Sequence, residues 1–181
     1  LPRLPRSLSD LKSDYIDLLP GYLKVVYHSV QADRRPSDYV TSEYIKHQIQ
    51  SGKKPFFGFV NFNSPHAPYA PPEPFRSQFE SFDRDEVDIA AVREMSKIKG
   101  NGHNRFMGGE IDLSVHVWNA IKNWYDGGVL FADSLVGDLI QTLRRQSLYE
   151  KTTIIAVGDH GEHFGEHGRA GHQFSLFDEV L

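Results

Sequence analysis

A dense cluster of metal-ligand residue types follows an apolar run near the end of the printed chain. Residues 159–172 contain four histidines, two glutamates and one aspartate, and they come directly after the apolar run at 152–157. Burying carboxylates and imidazoles side by side costs on the order of several kcal/mol for each uncompensated charge. A divalent cation removes this cost because the same side chains become its ligands. The cluster therefore indicates a metal site, with Asp159 and His160 as the first candidate ligands.

A second histidine segment follows another apolar run. His66 comes shortly after the β-rich residues 55–62, and five prolines within residues 65–74 exclude both a helix and a central strand there. We expect residues 55–62 and 152–158 to be buried strands, and residues 113–146 between them have the apolar spacing of a long crossover helix. Such an order is typical of a parallel sheet, whose strand ends place both histidine loops on one edge. A metal and a general acid could share a pocket there, which suits hydrolysis.

The rest of the chain sets the domain organisation. Length favours one compact domain. Residues 1–36 carry four prolines among short apolar patches, so we expect an irregular N-terminal segment. Residues 38–51 have the caps and spacing of an amphipathic helix. A partial α/β domain is predicted over residues 37–181, with a variable excursion at about 76–111 that includes a short helix near 84–98.

Composition excludes several classes of partner. The net charge of −4, with acids and bases spread along the chain, provides no basic field for nucleic acid and no polybasic anchor. No apolar stretch approaches the roughly 20 residues that cross a bilayer, and no leader is visible. The lack of cysteine excludes thiolate ligands within these residues. The compartment and the oligomeric state stay unknown, and the start at Leu1 indicates a piece of a longer protein.

Residues 163–167 also read as H-x-x-E-H, an inverted zinc-protease motif. That motif needs a helix, and the glycines at 161, 165 and 168 disfavour one. His163 and His167 are therefore interpreted as loop residues near the pocket rather than as ligands. Four further histidines lie in polar or helical settings and are interpreted as surface or core residues: His28, His47, His103 and His116. The two tryptophans, Trp118 and Trp124, are interpreted as core residues.

Taken together, these segments resemble the sulfatases of the alkaline phosphatase superfamily. The similarity rests on residues 55–61 leading to 65–69, on 125–127 with Asp133, and on 159–172 continuing to 177–179, in the order and spacing of that family. The resemblance implies a three-layer α/β/α alkaline-phosphatase-like sheet domain, partial in this chain. It also implies hydrolysis of sulfate esters or, in close relatives, of phosphate and phosphonate esters.

The resemblance also implies residue roles. Asp159 and His160 would be metal ligands, His66 would contact the transferred group and protonate the leaving oxygen, and His172 would replace a basic residue that holds substrate oxygens. Many calcium-dependent sulfatases carry Asn where this chain has His160. The identity of the metal is therefore left open between calcium, manganese, magnesium and zinc. Sulfatases also carry two acidic ligands on an early strand and a cysteine or serine that matures to formylglycine. Neither is found in this sequence, so formylglycine is expected outside this chain, and the chain alone is predicted to be inactive.

Three functions stay open at this point. The leading hypothesis is a fragment of a metal-dependent sulfuric ester hydrolase that acts on a small-molecule or glycan sulfate ester. The second is a phosphodiesterase or phosphonate monoester hydrolase of the same superfamily, which His160 suits equally well. The third is a non-catalytic sulfatase-like binding module that kept the sheet and lost the nucleophile.

Overall fold

The structure is a computed structural model that describes residues 37–52, 56–82, 87–96 and 101–181. The predicted irregular segment at 1–36 lies outside these residues. Four α-helices are described: α1 (Ser37–Gln50), α2 (Ile89–Met95), α3 (Gly102–Met107) and α4 (Val115–Arg145). Short 3-10 helices occupy Tyr149–Lys151, Glu166–Gly168 and Asp178–Val180. Strands β1 (His163–Phe164) and β2 (Ala170–Gly171) pair antiparallel, with His163 opposite Gly171.

The two longer helices, α1 and α4, confirm the two helices that the apolar spacing predicted. Helix α4 begins after Ser114, whose side chain accepts a hydrogen bond from the Val117 amide, and ends with Arg144 and Arg145 in its last turn. Both features stabilise helix ends, through capping and through the helix dipole. Helix α2 lies within the predicted short helix, and Asp88 caps it. Helix α3, in the Gly- and Asn-rich part of the excursion, was not predicted. Among the described helices, none is both long and apolar enough to cross a membrane.

Two apolar clusters hold these elements together. The larger one joins α2, the first half of α4 and the loop around residue 69, and at its centre Val92, Ala120 and Ile121 are almost fully buried. The smaller one joins α1 to the end of α4 through Ile45, Ile49, Leu143 and Leu148. Trp124 belongs to the larger cluster and Trp118 packs against it, which confirms their interpretation as core residues.

The three-layer sheet is not confirmed by the described residues. Residues 152–158 are extended but unpaired, and residues 56–63 form no ladder beyond one isolated bridge at Gly58. Phe57, Phe59, Ile155 and Val157 are 61%, 63%, 81% and 85% exposed, so the predicted burial of these two segments is not observed. The physical reason is that a central strand needs a neighbour on each edge and a layer on each face. The described residues supply neither for these segments.

Candidate active site

Three of the predicted site histidines lie together. The ring centroid of His172 is 4.0 Å from that of His160 and 5.8 Å from that of His66. His66 comes from the loop before α2, whereas His160 and His172 come from the segment after α4. The two histidine loops therefore meet, although in the described part of the chain no sheet ladder joins the segments that precede them.

The His66 loop is anchored by the first turn of α1. Asp38 is buried there, and its two carboxylate oxygens accept hydrogen bonds from the backbone amides of Asn63 at 2.8 Å and Ser64 at 2.7 Å. The His66 amide in turn donates to the Asn63 carbonyl at 2.8 Å. The imidazole Nδ1 donates to the Ala67 carbonyl at 2.6 Å, which leaves Nε2 as the ring nitrogen for proton exchange.

His160 is oriented in a way that suits a metal ligand. Its Nδ1 donates to the Gly161 carbonyl at 2.8 Å, so the lone pair of the neutral ring is on Nε2. That Nε2 lies 3.8 Å from Oδ2 of Asp159, whose side chain is 92% exposed. Two ligands that are each about 2.0–2.6 Å from one cation can be about 4 Å apart. The pair therefore fits part of a coordination shell. Within the described ranges, no group of three or more ligand-type side chains is arranged to hold a metal, so metal binding is not shown.

Glu162 and Tyr69 hold His172 in place. Glu162 has a side chain only 6% exposed, and its Oε1 lies 3.1 Å from Nδ1 of His172. The hydroxyl of buried Tyr69 also hydrogen-bonds to Glu162. Burial, together with the Glu162 carboxylate, raises the pKa of Tyr69, so the phenol stays a neutral donor. Neither residue was predicted from the sequence to have this role. The available signal was an acid two residues after His160 in a cluster of bases.

His103 brings the excursion next to the candidate site. It was predicted to be a surface or core histidine, and the structure places it, half-buried, on α3 beside the candidate site. A Cβ at Gly171 would lie 3.0 Å from Nδ1 of His103, so the two segments touch closely. Burial lowers the pKa of His103, and the nearby Glu162 carboxylate partly opposes this effect. No periodic pattern in the sequence could show that the excursion folds back onto this site.

The zinc-protease alternative is contradicted by the local backbone. Residues 163–167 span a short strand and a 3-10 turn in which His167 has a φ of 55°, rather than one α-helical face. Glu166 pairs with Lys122 at 2.7 Å and accepts a hydrogen bond from the Phe164 amide. His163 is buried and hydrogen-bonds to Ser175 at 2.6 Å, while His167 stacks on the ring of Phe177. The rings of His163 and His167 both pack against Phe177, while Glu166 pairs with Lys122, so the three motif side chains are not arranged as ligand, base and ligand on one helix.

Comparison with known proteins decides the family. A family model described as Sulfatase matches residues 9–179. The chain belongs to the sulfatase family. Its family implies an alkaline-phosphatase-like α/β fold, and sulfatases in general use a divalent metal and formylglycine.

Curated relatives of this sulfatase chain are distant and much longer. It is 25% identical over 122 residues to an endo-4-O-sulfatase of Bacteroides thetaiotaomicron, covering 66% of this chain and 21% of that protein. An arylsulfatase of Clostridium perfringens is 25% identical over 135 residues, with coverage of 73% and 27%. A choline-sulfatase of Rhizobium meliloti is 24% identical over 119 residues, with coverage of 64% and 23%. The matched part of the chain thus spans between a fifth and just over a quarter of each relative.

Proposed function

We propose that the whole protein is a metal-dependent sulfuric ester hydrolase and that His66, Asp159, His160 and His172 form one side of its active site. The observation that carries this proposal is the meeting of three imidazoles from loops on either side of α4. Family membership and relatives that are all named sulfatases support the reaction class. The substrate class is a small-molecule or glycan sulfate ester.

Asp159 and His160 would hold the divalent cation through Oδ2 and Nε2. The cation is calcium, or manganese, magnesium or zinc, and its charge would stabilise the negative charge on the oxygens of the transferred sulfuryl group. Among the described residues these two side chains make an incomplete set, and we expect the further ligands and the formylglycine to lie outside this chain. The Gly161 carbonyl keeps the ring of His160 in the tautomer that leaves its Nε2 lone pair available.

The other two histidines would bind the sulfate group and move a proton. His172, whose Nδ1 contacts the Glu162 carboxylate, would donate from Nε2 to a sulfate oxygen. His66, held at Nδ1 by the Ala67 carbonyl, would give its Nε2 proton to the leaving oxygen. Their separation of 5.8 Å lets both rings contact different oxygens of one small anion.

We assign residues 37–181 to one partial three-layer domain with an excursion at about 76–111. The apolar side chains of the extended segments support this assignment. Phe57, Phe59, Ile155 and Val157 are exposed, and leaving them in water forfeits roughly 1.5–3 kcal/mol each relative to burial. Neighbouring strands and helices in the whole protein would cover them.

Metal content and turnover of the full-length protein test the proposal. We expect Asp159→Ala and His160→Ala to lose the bound metal, measured by elemental analysis, and to lose turnover of an aryl sulfate by at least about a hundredfold. We expect His66→Asn to lower kcat by about 10²–10⁴ on an ester with a poor leaving group, and by much less when the leaving group needs no proton. His116→Ala is the matched control because His116 is exposed in the first turn of α4.

The proposal fails if the Asp159 variant keeps its metal and hydrolyses the aryl sulfate at the wild-type rate. The wild-type protein should also be assayed with the matched aryl phosphate and aryl phosphonate. Rates on these esters that exceed the sulfate rate by orders of magnitude would assign the protein to the phosphate branch of the superfamily instead. Retained metal binding without turnover of any of the three esters would identify a binding module.

A further inference from the structure

A cavity of about 230 Å³ lies next to the candidate active site. Residues of the proline loop, α2 and α4 line it, including Pro68, Tyr69, Arg76, Ile89, Arg93 and Trp124. Tyr69 joins the two places, because it lines the cavity and its hydroxyl hydrogen-bonds to Glu162, the residue that holds His172. The cavity begins only two residues after His66 along the chain.

The aromatic side chains of the cavity wall are fixed by packing, and one of its two arginines is already paired with carboxylates. Tyr69 and Trp124 are both buried in the core, and the Trp124 indole donates to Glu80 at 3.1 Å, so these walls are fixed. The Arg76 guanidinium pairs with Glu73 at 2.6 Å and lies 3.7 Å from Glu80. Two carboxylates therefore already compensate its charge.

Arg93 is the remaining cation on the cavity wall. It is exposed on α2, and within the described ranges its guanidinium has no carboxylate partner. A guanidinium presents a planar fork of donors that matches carboxylate and sulfate oxygens. Fixed aromatic walls beside such a fork are typical of sites that bind a ring bearing an acidic group. The volume is smaller than that of a site for a drug-sized ligand, so it suits one ring rather than a long chain.

We propose that this cavity is a subsite for an acidic ring in the organic part of the substrate and that Arg93 recognises its oxyanion. The oxyanion is a carboxylate, as in a uronic acid, or a second sulfate. This inference rests on the proposed function, because it assumes that the sulfate ester of the same substrate binds at the histidine site. The substrate class is thereby narrowed from any sulfate ester to a sulfated acidic saccharide.

Binding by the full-length protein tests the subsite without requiring turnover. The probes are an unsulfated disaccharide with one uronic carboxylate, a neutral-sugar disaccharide with one non-hydrolysable sulfonate, and the neutral disaccharide of the same size. We expect calorimetry to show tighter binding of at least one acidic probe than of the neutral one. Arg93→Ala should weaken that binding about tenfold, as expected from the loss of a charge-assisted hydrogen bond. Arg93→Lys should restore part of it.

Arg145→Ala is the matched control, because Arg145 lies at the far end of α4 and hydrogen-bonds to Thr142 outside the cavity. It should bind all three probes like the wild type. Preference for the carboxylate probe assigns a uronic acid, and preference for the sulfonate probe assigns a second sulfate. The inference is overturned if the acidic probes do not bind better than the neutral one, or if Arg93→Ala binds them as the wild type does.

Turnover separates this inference from the proposed function. On a sulfated acidic disaccharide we expect Arg93→Ala to raise KM about tenfold, whereas Arg145→Ala should keep the wild-type KM. Absence of turnover on every sulfate ester, with the Arg93-dependent binding intact, would refute the hydrolase and keep the subsite. Turnover of sulfate esters that does not depend on Arg93, together with equal binding of all three probes, would refute the subsite and keep the hydrolase.

Discussion

Each imidazole of the candidate site has its Nδ1 engaged by the protein. His66 and His160 donate from Nδ1 to the carbonyl of the next residue, and Nδ1 of His172 contacts the Glu162 carboxylate. The remaining nitrogen, Nε2, is therefore the one that each ring presents for a metal or a proton. Fixing the tautomer in this way orients each ring. Three rings with the same arrangement make one common pocket chemically reasonable.

His103 makes the stability of the full-length protein depend on pH. Burial lowers its pKa in the folded state below the usual value of 6.5, so between these two pKa values only the unfolded state binds the proton. The full stability is therefore present above pH 6.5, and it is lost as the pH falls from 6.5 towards the pKa of His103 in the folded state. We expect His103→Gln to lose less stability than the wild type between pH 7 and 5, measured by denaturant unfolding at each pH. Parallel curves for the two proteins would contradict the assignment.

Helix α4 positions the site through two glycines in its middle. A Cβ at Gly127 would lie 2.8 Å from the carbonyl oxygen of Phe75, and a Cβ at Gly128 would lie 3.0 Å from Cβ of Pro65. The loop that carries His66 therefore rests directly on the helix backbone. The absence of a side chain at both positions is what allows this close packing.

Alanine substitutions within α4 should consequently have opposite effects. Gly127→Ala would force the loop away and should destabilise the full-length protein by about 1–3 kcal/mol, and it should also lower turnover because His66 moves. Gly137→Ala is the matched control in the same helix, since a Cβ there meets nothing within 4 Å. It should stabilise by up to about 1 kcal/mol through helix propensity alone. Equal effects in thermal unfolding would show that the helix does not support the loop.

The exposed apolar segments should control whether the isolated chain associates with other copies of itself. Ile155 and Val157 belong to an extended segment without strand partners among the described residues, which is the arrangement that promotes association between chains. We expect the isolated 181-residue chain to self-associate and to bind a hydrophobic dye, measured by light scattering and fluorescence. Ile155→Lys combined with Val157→Lys should reduce both signals in the isolated chain.

The same double substitution should destabilise the full-length protein, because the proposed sheet buries both side chains there. Exposed Val115 with Val129 provides the control pair, since both lie on α4 and outside the extended segments. Lysines at these two positions should leave the full-length protein close to its wild-type stability. A full-length protein that tolerates lysine at 155 and 157 equally well would contradict the proposed burial.

Prediction from the sequence worked best where the signal is local. Helices α1 and α4 were predicted within about two residues at each end, because apolar spacing and capping residues are properties of a short stretch of chain. The His66 loop also meets the segment 159–172, as predicted, although the sheet from which this was predicted is not confirmed by the described residues. The roles assigned to those residues stay predictions.

By itself, the sequence determined the family, the long crossover helix and the residue types that could bind a cation and a sulfate. These properties depend on motifs and periodicity, which are written along the chain. Only the tertiary structure decided that Glu162 and Tyr69 hold His172, that His103 of the excursion reaches the site, and that Arg93 lines a cavity beside it. Contacts between distant segments depend on how elements pack and on which polar groups become buried, and no local pattern specifies either.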